Sequence, residues 1–231
     1  MHTQAPNDEI LGLDQDTRFS QDANVAQPAF AIELLDPGFQ ACPPGYGVIA
    51  GSRCRFSDTA MGEVQPTWVS DVAKGTIWKP TASAPAGAGV SVSTGSGNFL
   101  TVVNEFRNPP EGYTVHKIGR TTGWSYGPIH RADYHLQVYT SDTALGQKYL
   151  LSQNIVDSPG VGAGDSGSVV FVPYYADPAN QAAWGGIVWA EVEISSVAVE
   201  RSVAPATRRP AFIFSDFDDV QADLGSFYIS P

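Results

Sequence analysis

The amino-acid sequence predicts an all-β protein that ends in a single helix. Three observations carry that expectation. Short segments rich in Val, Ile, Tyr and Phe recur along the chain, each bounded by Gly, Pro, Asn or Asp. Glycine (23) and proline (17) are plentiful while charged residues make up only 16%, which suits turns better than long charged helices. Helical periodicity occurs once, at the C-terminal end.

Taken in order, residues 1–24 are polar, with Asp8, Glu9, Asp14, Asp16 and Asp22, and read as a loop or a frayed end. Val25–Leu35 is a candidate strand ending at Asp36-Pro37-Gly38. Cys42 to Cys54 encloses Pro43-Pro44-Gly45 and Gly51, a turn-rich loop. Further strands are expected at Gly75–Trp78, Phe99–Phe106, Tyr113–Ile118, Tyr134–Tyr139, Tyr149–Ile155, Ser168–Val172 and Gly186–Glu193. Ala82–Gly97, low in complexity, reads as a connection between lobes. The helix is expected to start with a capping box of Ser215 and Asp218, with Phe217, Val220, Ala222 and Leu224 as apolar positions and Gly225 as its stop.

Composition narrows the function. With 231 residues, 42% apolar and 11% aromatic, the chain can bury a core. A net charge of −11 with 13 basic residues argues against nucleic acid and against an anionic membrane surface. No apolar run approaches spanning length, and residues 1–18 lack the pattern of a signal peptide. The two cysteines, Cys42 and Cys54, are either a disulfide closing a surface loop in a secreted protein or two thiols in a cytosolic one. Their number and spacing exclude a C-x-x-C redox motif and a four-ligand zinc site.

Gly164-Asp165-Ser166-Gly167-Ser168 is the segment with chemistry. Glycines on both sides of Asp-Ser allow a sharp turn and a close approach by a carbonyl. The N–H groups of Gly164 and Ser166 can then converge as an oxyanion hole beside the Ser166 hydroxyl. Alone, the same residues also fit a turn closed by an Asx hydrogen bond.

This segment resembles the nucleophile loop of the trypsin/chymotrypsin family of serine proteases. Val115-His116-Lys117-Ile118-Gly119-Arg120-Thr121-Thr122-Gly123 resembles the GRTTG strand-turn of the bacterial members. Phe56-Ser57-Asp58-Thr59-Ala60-Met61 is similar to the segment that carries their triad aspartate, and Gly186-Ile187-Val188-Trp189 to the strand lining their substrate cleft. The resemblance covers roughly residues 19–230.

It implies a chymotrypsin-like double β-barrel with an incomplete first barrel: 1–81 for the remainder of the first lobe, 82–97 for the link, and 98–231 for the second lobe and helix. It also implies a secreted or periplasmic, monomeric serine endopeptidase acting on protein or peptide, without cofactor or metal. Ser166 would attack the scissile carbonyl, and Asp58 would orient the histidine. The alternative for Asp58 is a loop carboxylate paired with Arg53 or Arg55. Asp165 would lie buried beneath the loop and pair with Arg120. Gly160, Val161, Ala190 and Glu191 would line a pocket for apolar or small side chains, with Glu191 able to bias it toward basic ones. The family's histidine precedes the aspartate; here that leaves His2, or a histidine upstream of Met1. His116 lies too near Arg120 to serve Ser166, and His130 and His135 face opposite sides of a strand, against a metal site. The other reading is a non-catalytic module of this fold that binds peptide in the same cleft.

Overall fold

The computed structural model describes residues 39–59, 75–80, 98–138, 147–195 and 208–225. Among them are ten strands and one helix. The strands are β1 (Gln40–Ala41), β2 (Arg53–Arg55), β3 (Thr76–Trp78), β4 (Phe99–Glu105), β5 (Thr114–Gly119), β6 (Gly123–Val138), β7 (Lys148–Asp157), β8 (Val169–Pro173), β9 (Gln181–Ser195) and β10 (Arg208–Asp216). The helix α1 spans Phe217–Leu224. The protein is all-β with a C-terminal helix, as the sequence implies.

Six strands form a ring. Antiparallel pairing runs β5–β6, β6–β7, β7–β10, β10–β9, β9–β8 and back from β8 to β5. A closed ring leaves none of its strands as a free edge. Its interior holds Val115, Ile129, Val156, Val161, Val170, Val188, Phe212 and Phe214, all buried. The first strands attach outside the ring. β2 runs parallel to the start of β7, with Cys54 opposite Tyr149, and β4 parallel to the start of β9, with Thr101 opposite Gln181. Most of the expected first lobe, the strand at Val25–Leu35 and the link at 82–97 lie outside the described residues.

Apart from Val25–Leu35, the expected strands are present among the described residues, and three of them (β6, β7 and β9) are longer than the sequence suggested. β6 reaches back to Gly123 because it bends through register shifts near Asp133, which adopts φ 53°. β10 is a strand the periodicity missed. Ala211-Phe212-Ile213-Phe214 is buried on both faces, between β7 and β9, so it shows no alternation. The helix begins one residue later than expected: Asp216, not Ser215, is the N-cap and accepts from the Asp219 N–H at 3.0 Å. The Ser215 hydroxyl instead donates to Gln153 Oε1 at 2.8 Å. Gly225 ends the helix with φ 85°, as expected.

Candidate active site

The Gly164–Ser168 segment lies between β7 and β8 and is pinned on both flanks. On the β9 side, Gly167 N–H donates to the Val188 carbonyl (2.8 Å) and Val188 N–H to the Ser168 carbonyl (2.9 Å). On the other, the Thr121 hydroxyl donates to the Ala163 carbonyl at 2.8 Å. Asp165 N–H reaches the Gly162 carbonyl and Ser168 N–H the Asp165 carbonyl, both at 3.0 Å. Gly164 and Gly167 adopt φ of 95° and 85°, which disfavour a side chain. Ser166 is exposed, and its hydroxyl donates to the Trp189 carbonyl at 3.3 Å. Among the described residues the N–H groups of Gly164 and Ser166 have no acceptor, whereas those of Asp165, Gly167 and Ser168 are engaged. Among the described residues, the exposed hydroxyl thus belongs to a loop with two unengaged N–H groups, its own and that of Gly164.

Beneath the loop the expected Asp165–Arg120 pair is replaced by another. Asp165, 1% exposed, is bound by Lys117, whose side chain is wholly buried: Nζ lies 2.8 Å from Oδ2. The Thr122 hydroxyl (2.6 Å) and Gly162 N–H (3.2 Å) also donate to Oδ2, and the N–H groups of Thr121 (2.9 Å) and Thr122 (3.2 Å) to Oδ1. The reason is strand alternation. Lys117 shares with Val115 the face of β5 turned into the ring, while Arg120 sits past the strand end, exposed. Burial acts to raise the Asp165 carboxyl pKa, but Lys117, Thr122 and the Thr121 N–H together hold it below its ordinary value. A Cβ on Gly119 would lie 2.3 Å from Asp165 Oδ1, so the carboxylate occupies the space a side chain there would need.

The Asp58 segment is fixed from the helix. Asp223 of α1, its side chain 7% exposed, accepts from Phe56 N–H (3.0 Å), Ser57 N–H (2.6 Å), the Ser57 hydroxyl (2.8 Å) and Arg55 Nε (3.4 Å). Arg55 is therefore partnered by Asp223. Asp58 itself is exposed between buried Ser57 and Thr59. Gln153 of β7, fully buried, joins this segment to the ring: Nε2 donates to the Phe56 and Leu151 carbonyls (both 2.6 Å), and Oε1 accepts from Trp189 Nε1 (2.6 Å) and the Ser215 hydroxyl (2.8 Å).

His2 lies outside the described residues. None of the three described histidines bonds to Ser166 or Asp58. His116 is packed against Trp124, Tyr126 and Phe171, its Nδ1 accepting from Trp124 Nε1 at 3.0 Å, and burial lowers its pKa. His135 Nδ1 accepts from Ser152 N–H at 3.1 Å, and His130 is exposed. Of the expected pocket residues, Val161 is buried in the ring's core. Gly160 is wedged against Ser125, whose hydroxyl donates to its carbonyl at 2.6 Å. Ala190 is half-buried and Glu191 exposed on β9. Cys42 and Cys54 form a disulfide.

Sequence reasoning missed Lys117, Gln153 and Asp223. Lys117 had a signal: a lysine at an inward position of an otherwise apolar strand calls for a buried carboxylate. The other two are polar residues whose partners lie far away in sequence.

No protein-family model matches the chain, and no curated protein matches it. Among solved structures it is similar to the crystal structure of a Cellulomonas bogoriensis chymotrypsin, at 16% identity and a TM-score of 0.37, covering 80% of this chain and 94% of that one. At that identity and overlap, a functional reading stands on the chain's own residues.

Proposed function

We propose that the chain is a serine endopeptidase that works through an acyl-enzyme on Ser166. The observation that carries this reading is the loop: an exposed hydroxyl and, among the described residues, two unengaged N–H groups, over a carboxylate clamped by five donors. Such a loop is preorganised for a tetrahedral oxyanion. Ser166 Oγ bonds to the scissile carbonyl carbon, the C–N bond breaks, and the hydroxyl proton passes through a base to the departing amine; water then releases the acyl group. Asp58 orients that base, for which His2 is the candidate in this chain. The substrate is protein or peptide, the protein acts as a monomer, and the disulfide suits a secreted or periplasmic setting. A fluorophosphonate probe tests the proposal. It should label the full chain at Ser166 and leave Ser166→Ala unlabelled; a chain that stays unlabelled at high probe concentration sinks it.

The second reading, a peptide-binding module of the same ring, is favoured by one observation. The Ser166 hydroxyl bonds to the Trp189 carbonyl and to no imidazole among the described residues. That module would bind peptides and resist the probe.

A further inference from the structure

Lys117 satisfies Asp165, which leaves Arg120 without the task the sequence suggested for it. Arg120 is exposed and has no ion pair among the described residues. That is notable in a chain with 24 acidic and 13 basic residues. Its side chain is not remote from the loop. A Cβ placed on Gly164 would lie 2.7 Å from an Arg120 guanidinium nitrogen, so the cation rests against the residue that supplies one of the two free N–H groups.

Strand order places it on the flank of the loop opposite β9. β8 lies between β5 and β9, so the loop entering β8 has the turn after β5 on one flank and Trp189 of β9 on the other. A peptide laid across Ser166 with its acyl part along β9 presents its leaving-group part to Arg120. The guanidinium is a planar fork of donors matched to a carboxylate.

We propose that Arg120 is a specificity-determining residue that binds a carboxylate on the leaving-group side of the scissile bond. The chain thus selects peptides with Asp or Glu just after the cleaved position. This rests on the endopeptidase reading, and the test separates the two.

Short amide-capped peptides differing only by Glu or Gln after the scissile bond are turned over by the full chain and by Arg120→Gln. The wild type is expected to favour Glu by about tenfold in kcat/KM, the scale of one charge-assisted contact. Salt should weaken that preference, Arg120→Lys should keep part of it, and Arg120→Gln should bring the ratio to about one. A wild type indifferent to Glu, or an Arg120→Gln loss equal for both peptides, overturns the proposal. A chain that neither cleaves nor reacts with fluorophosphonate refutes the endopeptidase reading instead. Binding then decides: Ser166→Ala should bind the Glu peptide more tightly than the Gln peptide, and adding Arg120→Gln should abolish the gap. Equal binding in Ser166→Ala refutes the role of Arg120.

Discussion

Replacing Lys117 with methionine tests what holds the nucleophile loop. Methionine keeps much of the lysine stem's apolar bulk beside Val115 and Val170, so the change is chiefly the loss of the ammonium. Asp165, 1% exposed, would retain three backbone N–H groups and the Thr122 hydroxyl but no cation. Breaking a buried pair from one side costs roughly 3–5 kcal/mol, and four surviving donors place this case near the lower end, about 3 kcal/mol. The cost depends on pH in a defined sense. In the wild type the folded carboxyl pKa is lowered, so its stabilisation is present above the unfolded value of about 3.9 and is lost as pH falls through the folded value. In Lys117→Met burial prevails and raises that pKa, so the variant loses stability as pH rises above about 3.9. The gap between the two proteins is therefore wide near neutral pH and closes toward about pH 4. Urea unfolding followed by tryptophan fluorescence at several pH values measures it. Arg120→Met, run beside it, is expected to stay within about 0.5 kcal/mol of wild type. A Lys117→Met deficit below about 1 kcal/mol, a deficit independent of pH, or an equal loss in Arg120→Met would show that the Lys117 ammonium does not hold Asp165 in place.

Two further predictions concern the helix. Asp219 is 5% exposed, with Oδ2 lacking a partner among the described residues, and burial, reinforced by Asp216, Asp133 and Asp223, pushes its pKa up to about 10. A raised folded pKa means its contribution is fully present below the unfolded pKa and is lost as pH rises. Asp219→Asn should accordingly stabilise the protein near neutral pH by on the order of 1–4 kcal/mol and change little near pH 4; equal destabilisation at both, read by thermal unfolding, contradicts this. Asp223→Ala should cost roughly 2–4 kcal/mol, because it strips the acceptor from two backbone N–H groups, a hydroxyl and the buried Arg55. It should also raise amide exchange at Phe56 and Ser57 ahead of the ring strands; unchanged exchange there would show that the helix does not hold the segment.

What was legible in the sequence was local. The loop glycines, the strand-rich pattern, the helix stop at Gly225 and the cysteine pair follow from rules that act over a few residues. What was not legible depends on which distant residues share a neighbourhood. Arg120 and Lys117 are both cations near the same turn, and only the alternation of β5 into the ring decides which meets Asp165. β10 gave no period because both faces are buried. Asp223 reads as an ordinary helix-surface acid until the Phe56–Ser57 backbone is placed against it.

Gln153 ties the backbone just before Asp58 to the β9 residue that accepts from Ser166. An indole N–H can only donate, so Trp189 fixes which end of the Gln153 amide is oxygen. The other end must then donate, and it does so to the carbonyl of Phe56, two residues before Asp58. The same Trp189 gives its own carbonyl to Ser166. Ser166 and the Asp58 segment therefore terminate one chain of hydrogen bonds that runs through β9 and the buried Gln153 of β7, and Asp223 anchors its far end to α1. A buried amide with both donors and both acceptor sites used tolerates little displacement, because any shift leaves a polar group unmet. The attachment of the Phe56–Ser57 backbone to β7 and β9 is thus a property of the ring and its helix.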